Sequence, residues 1–165
     1  MPGTREENTY KSDWLNLQIS LPEGWQFSTE EELASFKENV LGESPSDDYE
    51  LYTEFLAFSP ENNVIAYLLV ENADVEVPMG IYVNNLLKGI RESSDITVIE
   101  DGTSVQTIAG QEYTILSFEQ ITTSITLQQT IFIRAFGTYF ATLALTCLPD
   151  TQATADEFLN AITIA

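Results

Sequence analysis

The chain has no histidine, and that removes several chemistries at once. Ser-His and Cys-His nucleophile pairs, His-ligated zinc and imidazole acid–base work all need the ring. Cysteine occurs once, at Cys147, so no internal disulfide forms. Bases are scarce: 6 Lys and Arg stand against 26 Asp and Glu, for a formal net charge of −20. Such a surface repels nucleic acid and anionic lipid over a Debye length of about 8 Å at physiological salt. No nucleic-acid partner is expected. The acids are spread along the chain instead of gathered in one block. That reads first as a solvated surface and second as a field for a basic partner or a cation. No apolar run approaches the roughly 20 residues of a membrane-spanning helix, so direct membrane insertion is not expected.

What the chain does have is alternation. At 165 residues it reads as one domain, residues 9–165, behind a disordered leader, residues 1–8. A domain of this size buries about 70% of its unfolded surface and needs no metal or disulfide staple. The stretch Ser104 to Leu148 reads as a meander of antiparallel strands. Ile125 to Phe136 and Tyr139 to Leu148 are rich in Ile, Thr, Phe and Leu, which suit a pleated surface. Gly137-Thr138 between them fits a type II′ turn, since Gly tolerates the positive φ. In the last strand Tyr139, Ala141, Leu143, Leu145 and Cys147 share one apolar face, which belongs in the core. Phe140, Thr142, Ala144, Thr146 and Leu148 share the other, mixed but uncharged and so partly covered. A strand without charge on either face belongs in the middle of a sheet. Upstream, Gln111 to Glu119 is the preceding strand, with Thr122-Thr123 near its turn. Ala109-Gly110 is a tight connection back to Ser104 to Ile108.

The remaining segments read as cover and edges. Tyr10, Leu15, Leu17 and Ile19 alternate with polar residues and imply one or two strands. Ser20-Leu21-Pro22-Glu23-Gly24-Trp25 ends them, with Trp25 folded back as a lid on the sheet edge. Thr29 and Glu32 fit a capping box for a helix over Glu30 to Leu41, with Leu33, Phe36 and Val40 at helical spacing and Gly42 at its exit. Glu43 to Tyr49 reads as a loop. Tyr52 to Phe58 and Val64 to Val70 are strands joined by the turn Ser59 to Asn63. Glu71 to Val77 is an acidic crossover into a helix begun by Pro78, whose stripe is Tyr82, Val83, Leu86, Leu87 and Ile90. Ile96 to Ile99 is a further strand, ended by a turn at Asp101-Gly102. After Pro149-Asp150, the spacing of Ala155, Phe158, Leu159 and Ile162 predicts a short final helix.

This order of elements defines the fold class: α+β, an antiparallel sheet of about six to eight strands flanked by about three helices. It resembles the PsbP-like α/β/α sandwich. The Leu21-Pro22-Glu23-Gly24-Trp25 turn, the Ala109-Gly110-Gln111-Glu112 turn and the final aromatic helix are similar to that family. Among its members the chain looks most like acidic, uncharacterised lipoproteins of gut Firmicutes. DcrB-like proteins and a Ran-binding nuclear import factor share the wider fold. The resemblance implies binding of another protein, with no catalytic motif to carry over. No lipobox cysteine precedes the domain. The expected setting is therefore extracytoplasmic and cell-envelope associated if a leader lies upstream, and cytoplasmic otherwise.

No residue cluster demands a particular chemistry, so no catalytic, cofactor-binding or metal residue is assigned and no enzyme activity is expected. Asp47-Asp48, Asp74 with Glu76, and Glu100-Asp101 offer oxygen ligands but lack EF-hand spacing and read as solvated loops. Tyr10, Trp14 and Trp25 read as core or edge cover before they read as an exposed binding patch. Arg134, mid-strand, is expected to pair with a carboxylate on a neighbouring strand. Cys147 reads as a buried structural thiol. The leading expectation is a non-catalytic protein-binding module whose partner is unknown. A cytosolic chaperone-like module would instead show an open apolar sheet face. A carboxylate-based hydrolase would show two buried acids in one pocket.

The burial assigned to Leu143 is directly testable. Leu143→Ala is expected to lower the unfolding free energy by roughly 2–5 kcal/mol, measured by thermal or urea denaturation. No loss of stability would remove Leu143 from the core.

Overall fold

In the computed structural model of the protein the described residues are 3–40, 50–92, 97–121 and 123–165. The first strands are β1 (Thr4–Glu6), β2 (Thr9–Ser12), β3 (Leu17–Ser20) and β4 (Gln26–Phe27). Helix α1 (Glu30–Val40) precedes β5 (Glu50–Ser59) and β6 (Val64–Asn72), and α2 (Met79–Arg91) follows them. The meander is β7 (Thr97–Ile108), β8 (Gln111–Ile121), β9 (Thr126–Phe136) and β10 (Tyr139–Cys147). A single 3-10 turn (Pro149–Thr151), α3 (Gln152–Asn160) and β11 (Ile162–Thr163) close the chain.

The α+β class is the observed one, but the strands divide into two sheets. Seven form a large antiparallel sheet in the order β4-β5-β6-β10-β9-β8-β7, and four form a small one in the order β1-β2-β3-β11. The uncharged strand β10 is central, between β6 and β9. Its first face carries Leu143, Leu145 and Cys147 into a core shared with Tyr10, Leu15, Leu17 and Ile19 of the N-terminal segment and with Ala155 and Phe158 of α3. Its second face puts Phe140 and Ala144 in a second core with Leu116, Phe118, Ile131, Ile133 and Val83 of α2. Tyr82 of α2 stacks on Phe140, ring centroids 3.9 Å apart. One face of the large sheet is thus covered by the small sheet with α3, and the other by α1 and α2.

Local chemistry sets several boundaries. Thr29 and Glu32 make the reciprocal capping box: the Thr29 N–H donates to Glu32 Oε1 at 3.0 Å and the Glu32 N–H to Thr29 Oγ1 at 3.1 Å. In the β9–β10 turn Gly137 takes φ +63° and Thr138 does not turn positive, as a type II′ turn requires. Ala109 and Gly110 both take positive φ, +51° and +76°, so the β7–β8 turn is of the type I′ kind.

Four expectations are corrected. Residues 4–6, assigned to the disordered leader, form β1 and pair Thr4↔Lys11, Arg5↔Tyr10 and Glu6↔Thr9. Specific bonds hold them: the Gly3 N–H donates to Glu54 at 2.8 Å, and Arg5 donates to Glu30 at 2.6 Å. Asp101-Gly102 is not a turn. The register with β8 shifts between Glu100 and Gly102, so a bulge lies inside one long strand that pairs from Thr97↔Ile121 to Ile108↔Gln111. Ile162 does not belong to the last helix. That helix stops at Asn160, and Ile162 pairs with Ile19 to close the small sheet. Trp25 is no lid on an edge but is 5% exposed inside the core, against Phe158 at 4.9 Å. Gly42, the loop Glu43 to Tyr49, Ile96 and Thr122 lie outside the described residues.

A Cβ added at Gly137 would meet no atom within 4 Å, so a substitution there acts through backbone strain alone. Gly137→Ala is expected to lower stability by about 1 kcal/mol in urea denaturation, with an unchanged circular dichroism spectrum. An unaffected midpoint would mean that the turn has another geometry.

Candidate functional site

The two helices leave part of the large sheet's outer face open. α2 covers the region around Phe118, Ile133 and Phe140. α1 touches the sheet through Phe36, whose ring lies 5.0 Å from that of Tyr67. Between α1 and the ends of β5, β6, β9 and β10 runs an open groove of about 1000 Å³. Its floor is apolar: Leu56 and Phe58 of β5, Ile65 of β6, Leu127 of β9 and Leu148, with Thr146 among them. Ile65 is 44% exposed and Ile125, at its mouth, 45%. Glu31 and Glu32 of α1 line one wall, and exposed Glu61 sits in the turn that supplies Pro60 and Asn63.

The period of two explains the groove. Ile65 pairs with Phe58 on one side and with Thr146 on the other, so the three stand together on one face. They belong to the same uncharged face of β10 that carries Phe140 and Ala144 under α2. Farther along, at Thr146 and Leu148, no described helix crosses it.

The residues singled out in the sequence fall in separate places. Tyr10 is fully buried, edge-on to Phe55 at 4.9 Å, with its hydroxyl donating to Glu54 at 3.1 Å. Trp14 packs against Phe136 and Tyr139, at 5.4 and 4.9 Å. With Trp25 on α3, the three aromatics are cover for the inner core. Among the described residues Arg134 does not find the expected carboxylate. It donates to the Leu15 carbonyl at 3.0 Å and lies over the Phe136 ring at 5.3 Å, tying the large sheet to the loop between β2 and β3. Cys147 is buried, its Sγ 3.6 Å from Gln152 Oε1, and burial with the nearby Asp156 charge pushes its thiol pKa up, away from reactivity. Asp74 and Glu76 are exposed in the crossover. Asp47-Asp48 lie outside the described residues. Glu100-Asp101 lie in the first half of β7, of which only the backbone is described. Among the described residues no group of three or more Cys, Asp or Glu is placed to hold a metal ion.

Glu54 is the residue that sequence reasoning missed. The β5–β6 register shifts between Thr53 and Phe55, leaving Glu54 outside the ladder and turned inward. It is 7% exposed, and its Oε2 accepts from both Gly3 and Tyr10. Nothing in the run Glu50 to Ser59 marks a bulge. Among the residues whose side chains are described it is the one buried acid, and none of those supplies the second acid that a carboxylate hydrolase needs.

No protein-family model matches the sequence, and no curated protein is similar to it. Solved structures are similar in fold. The solution structure of cyanobacterial PsbP (CyanoP) from Synechocystis sp. PCC 6803 aligns with a TM-score of 0.59 at 11% identity, over 96% of this chain and 92% of that one. The crystal structure of LpqN, described as involved in cell envelope biogenesis of Mycobacterium tuberculosis, aligns with a TM-score of 0.50 at 14% identity, over 90% and 83%. The fold is PsbP-like. No described helix is long and apolar enough to cross a membrane.

The buried phenols generate a pH dependence. Burial raises Tyr10 above its ordinary value, and the Glu54 carboxylate raises it further. Burial also raises Tyr67 and Tyr113, against the opposing effects of Gln129 and Arg134. Tyrosine in the unfolded chain ionises near pH 10, while these ionise only at higher pH in the folded chain. Their contribution is therefore whole below about pH 9 and declines as pH rises through 10, by at most about 1.4 kcal/mol per pH unit and group. Urea denaturation at rising pH is expected to show that decline, and Tyr10→Phe to flatten it. Equal slopes in the two proteins would mean that Tyr10 ionises as freely folded as unfolded.

Proposed function

We propose that the protein is a non-catalytic binding module whose groove between α1 and the large sheet takes a short apolar segment of a partner protein. The observation that carries this reading is the groove itself. An open apolar floor at a sheet end, with acids on its wall, suits an amphipathic segment more than a small substrate awaiting chemistry. The acidic wall and the net charge of −20 favour a segment with basic flanks.

The proposed setting is the cell envelope. It is supported by the fold likeness to LpqN, itself described as involved in cell envelope biogenesis. The chaperone-like alternative draws on the same groove. Because α2 covers much of the rest of that face, a client would be held by a short stretch and not shielded along its length.

Titration of isotope-labelled protein with two designed peptides tests the reading. The peptides share one apolar pattern and differ in Lys or Glu flanks. The Lys peptide is expected to shift the resonances of Ile65 and Leu127 and to bind more weakly as salt rises. Ile65→Asp is expected to weaken it by about tenfold or more, which is about 1.4 kcal/mol. Binding elsewhere would refute the groove as the site, and equal binding of the Glu peptide would refute the preference for basic flanks.

A further inference from the structure

The large sheet ends at β7, an edge unlike the others. β1, β4 and β11, the other end strands of the two sheets, have 3, 2 and 2 residues, while β7 has 12. Short edges and charged edges are two ways a protein keeps unpaired backbone groups from joining another chain. Thr103–Thr107 has neither protection. Thr103, Ser104, Val105, Gln106 and Thr107 are all exposed, Val105 to 60%. None is charged, in a chain with 26 acids.

The backbone of this run is set for pairing. The two-residue turn makes Ile108↔Gln111 a hydrogen-bonded pair, and bonded and non-bonded pairs then alternate along the ladder. Gln106 and Ser104 therefore direct their backbone groups toward β8. Thr107, Val105 and Thr103 direct theirs outward. The side chains also read alike from either end: Thr at both ends, an uncharged polar residue inside each, and Val at the centre.

We propose that two copies of this chain pair through β7, antiparallel about a two-fold axis at Val105, and so join two large sheets into one. In that register Val105 faces Val105 of the second copy, Thr103 faces Thr107, and Ser104 faces Gln106. Every outward backbone group of Thr103, Val105 and Thr107 falls in a bonded pair. The β-branched side chains meet their like, a favourable cross-strand arrangement, and no two like charges are opposed within the run. A foreign strand would require no such symmetry about one residue. The net charge of −20 on each copy opposes association at long range, so the dimer tightens as salt rises.

Sedimentation equilibrium of the full chain, over a concentration series at low and high salt, tests this. The wild type is expected to form a reversible dimer, stronger at high salt. Val105→Pro removes an outward N–H without removing a bond to β8, and edge strands tolerate proline. Val105→Lys sets two like charges opposite each other at the axis. Each is expected to weaken dimerisation by about tenfold or more, with the circular dichroism spectrum of the folded chain retained. If the proline variant unfolds, the lysine variant decides. A wild type that stays monomeric throughout, or a dimer that a folded Val105→Lys leaves intact, overturns the proposal. So does a chain that is monomeric alone and pairs only with an unrelated extended peptide.

Discussion

The structure depends on the pairing of β10 with β6 on one side and β9 on the other. Leu143 lies opposite Leu68 and Phe132 in those two ladders. Remove this strand and the large sheet falls into two halves, one from each half of the chain. β10 bears no charge, and both of its faces are used. One supplies Leu143 and Leu145 to the inner core, and the other supplies Phe140 and Ala144 to the core under α2. A polar side chain in either set would need a buried partner, because an unpaired polar group in such a place costs more than it contributes.

The inner core explains the second sheet. An apolar face seven strands wide has to be covered, and one nine-residue helix, α3, is too short to cover it alone. The N-terminal strands supply the rest, and the chain end returns to pair Ile162 with Ile19. The bonds of Arg134 to Leu15 and of Glu54 to Gly3 and Tyr10 tie this small sheet to the large one. The bulge at Glu54 is what makes the second tie possible, since a regular strand would send that carboxylate to the opposite face.

The cover of the large sheet stops short in two places. The described side chains bring together no pair of buried acids and no metal cluster. They do leave an apolar groove beside α1 and an uncharged strand at the rim of the large sheet. Both lie at the margins of the double layer, outside its two cores. The similarity to PsbP and LpqN lies in the fold.

What the amino-acid sequence determined by itself was local. The period of two in Tyr139 to Cys147 separated its faces, Gly137 and Ala109-Gly110 marked their turns, and Thr29 with Glu32 marked the start of α1. Each of these signals acts over a few neighbouring residues, through sterics or a short hydrogen bond. Tertiary structure alone decided the rest: that the strands divide into two sheets, that Asp101-Gly102 bulges instead of turning, that Glu54 faces inward, and that α2 stops short of Ile65. Those outcomes turn on which faces meet. Burial is a property of pairs of surfaces distant in sequence, and no residue carries in its own neighbourhood the identity of the surface that will cover it.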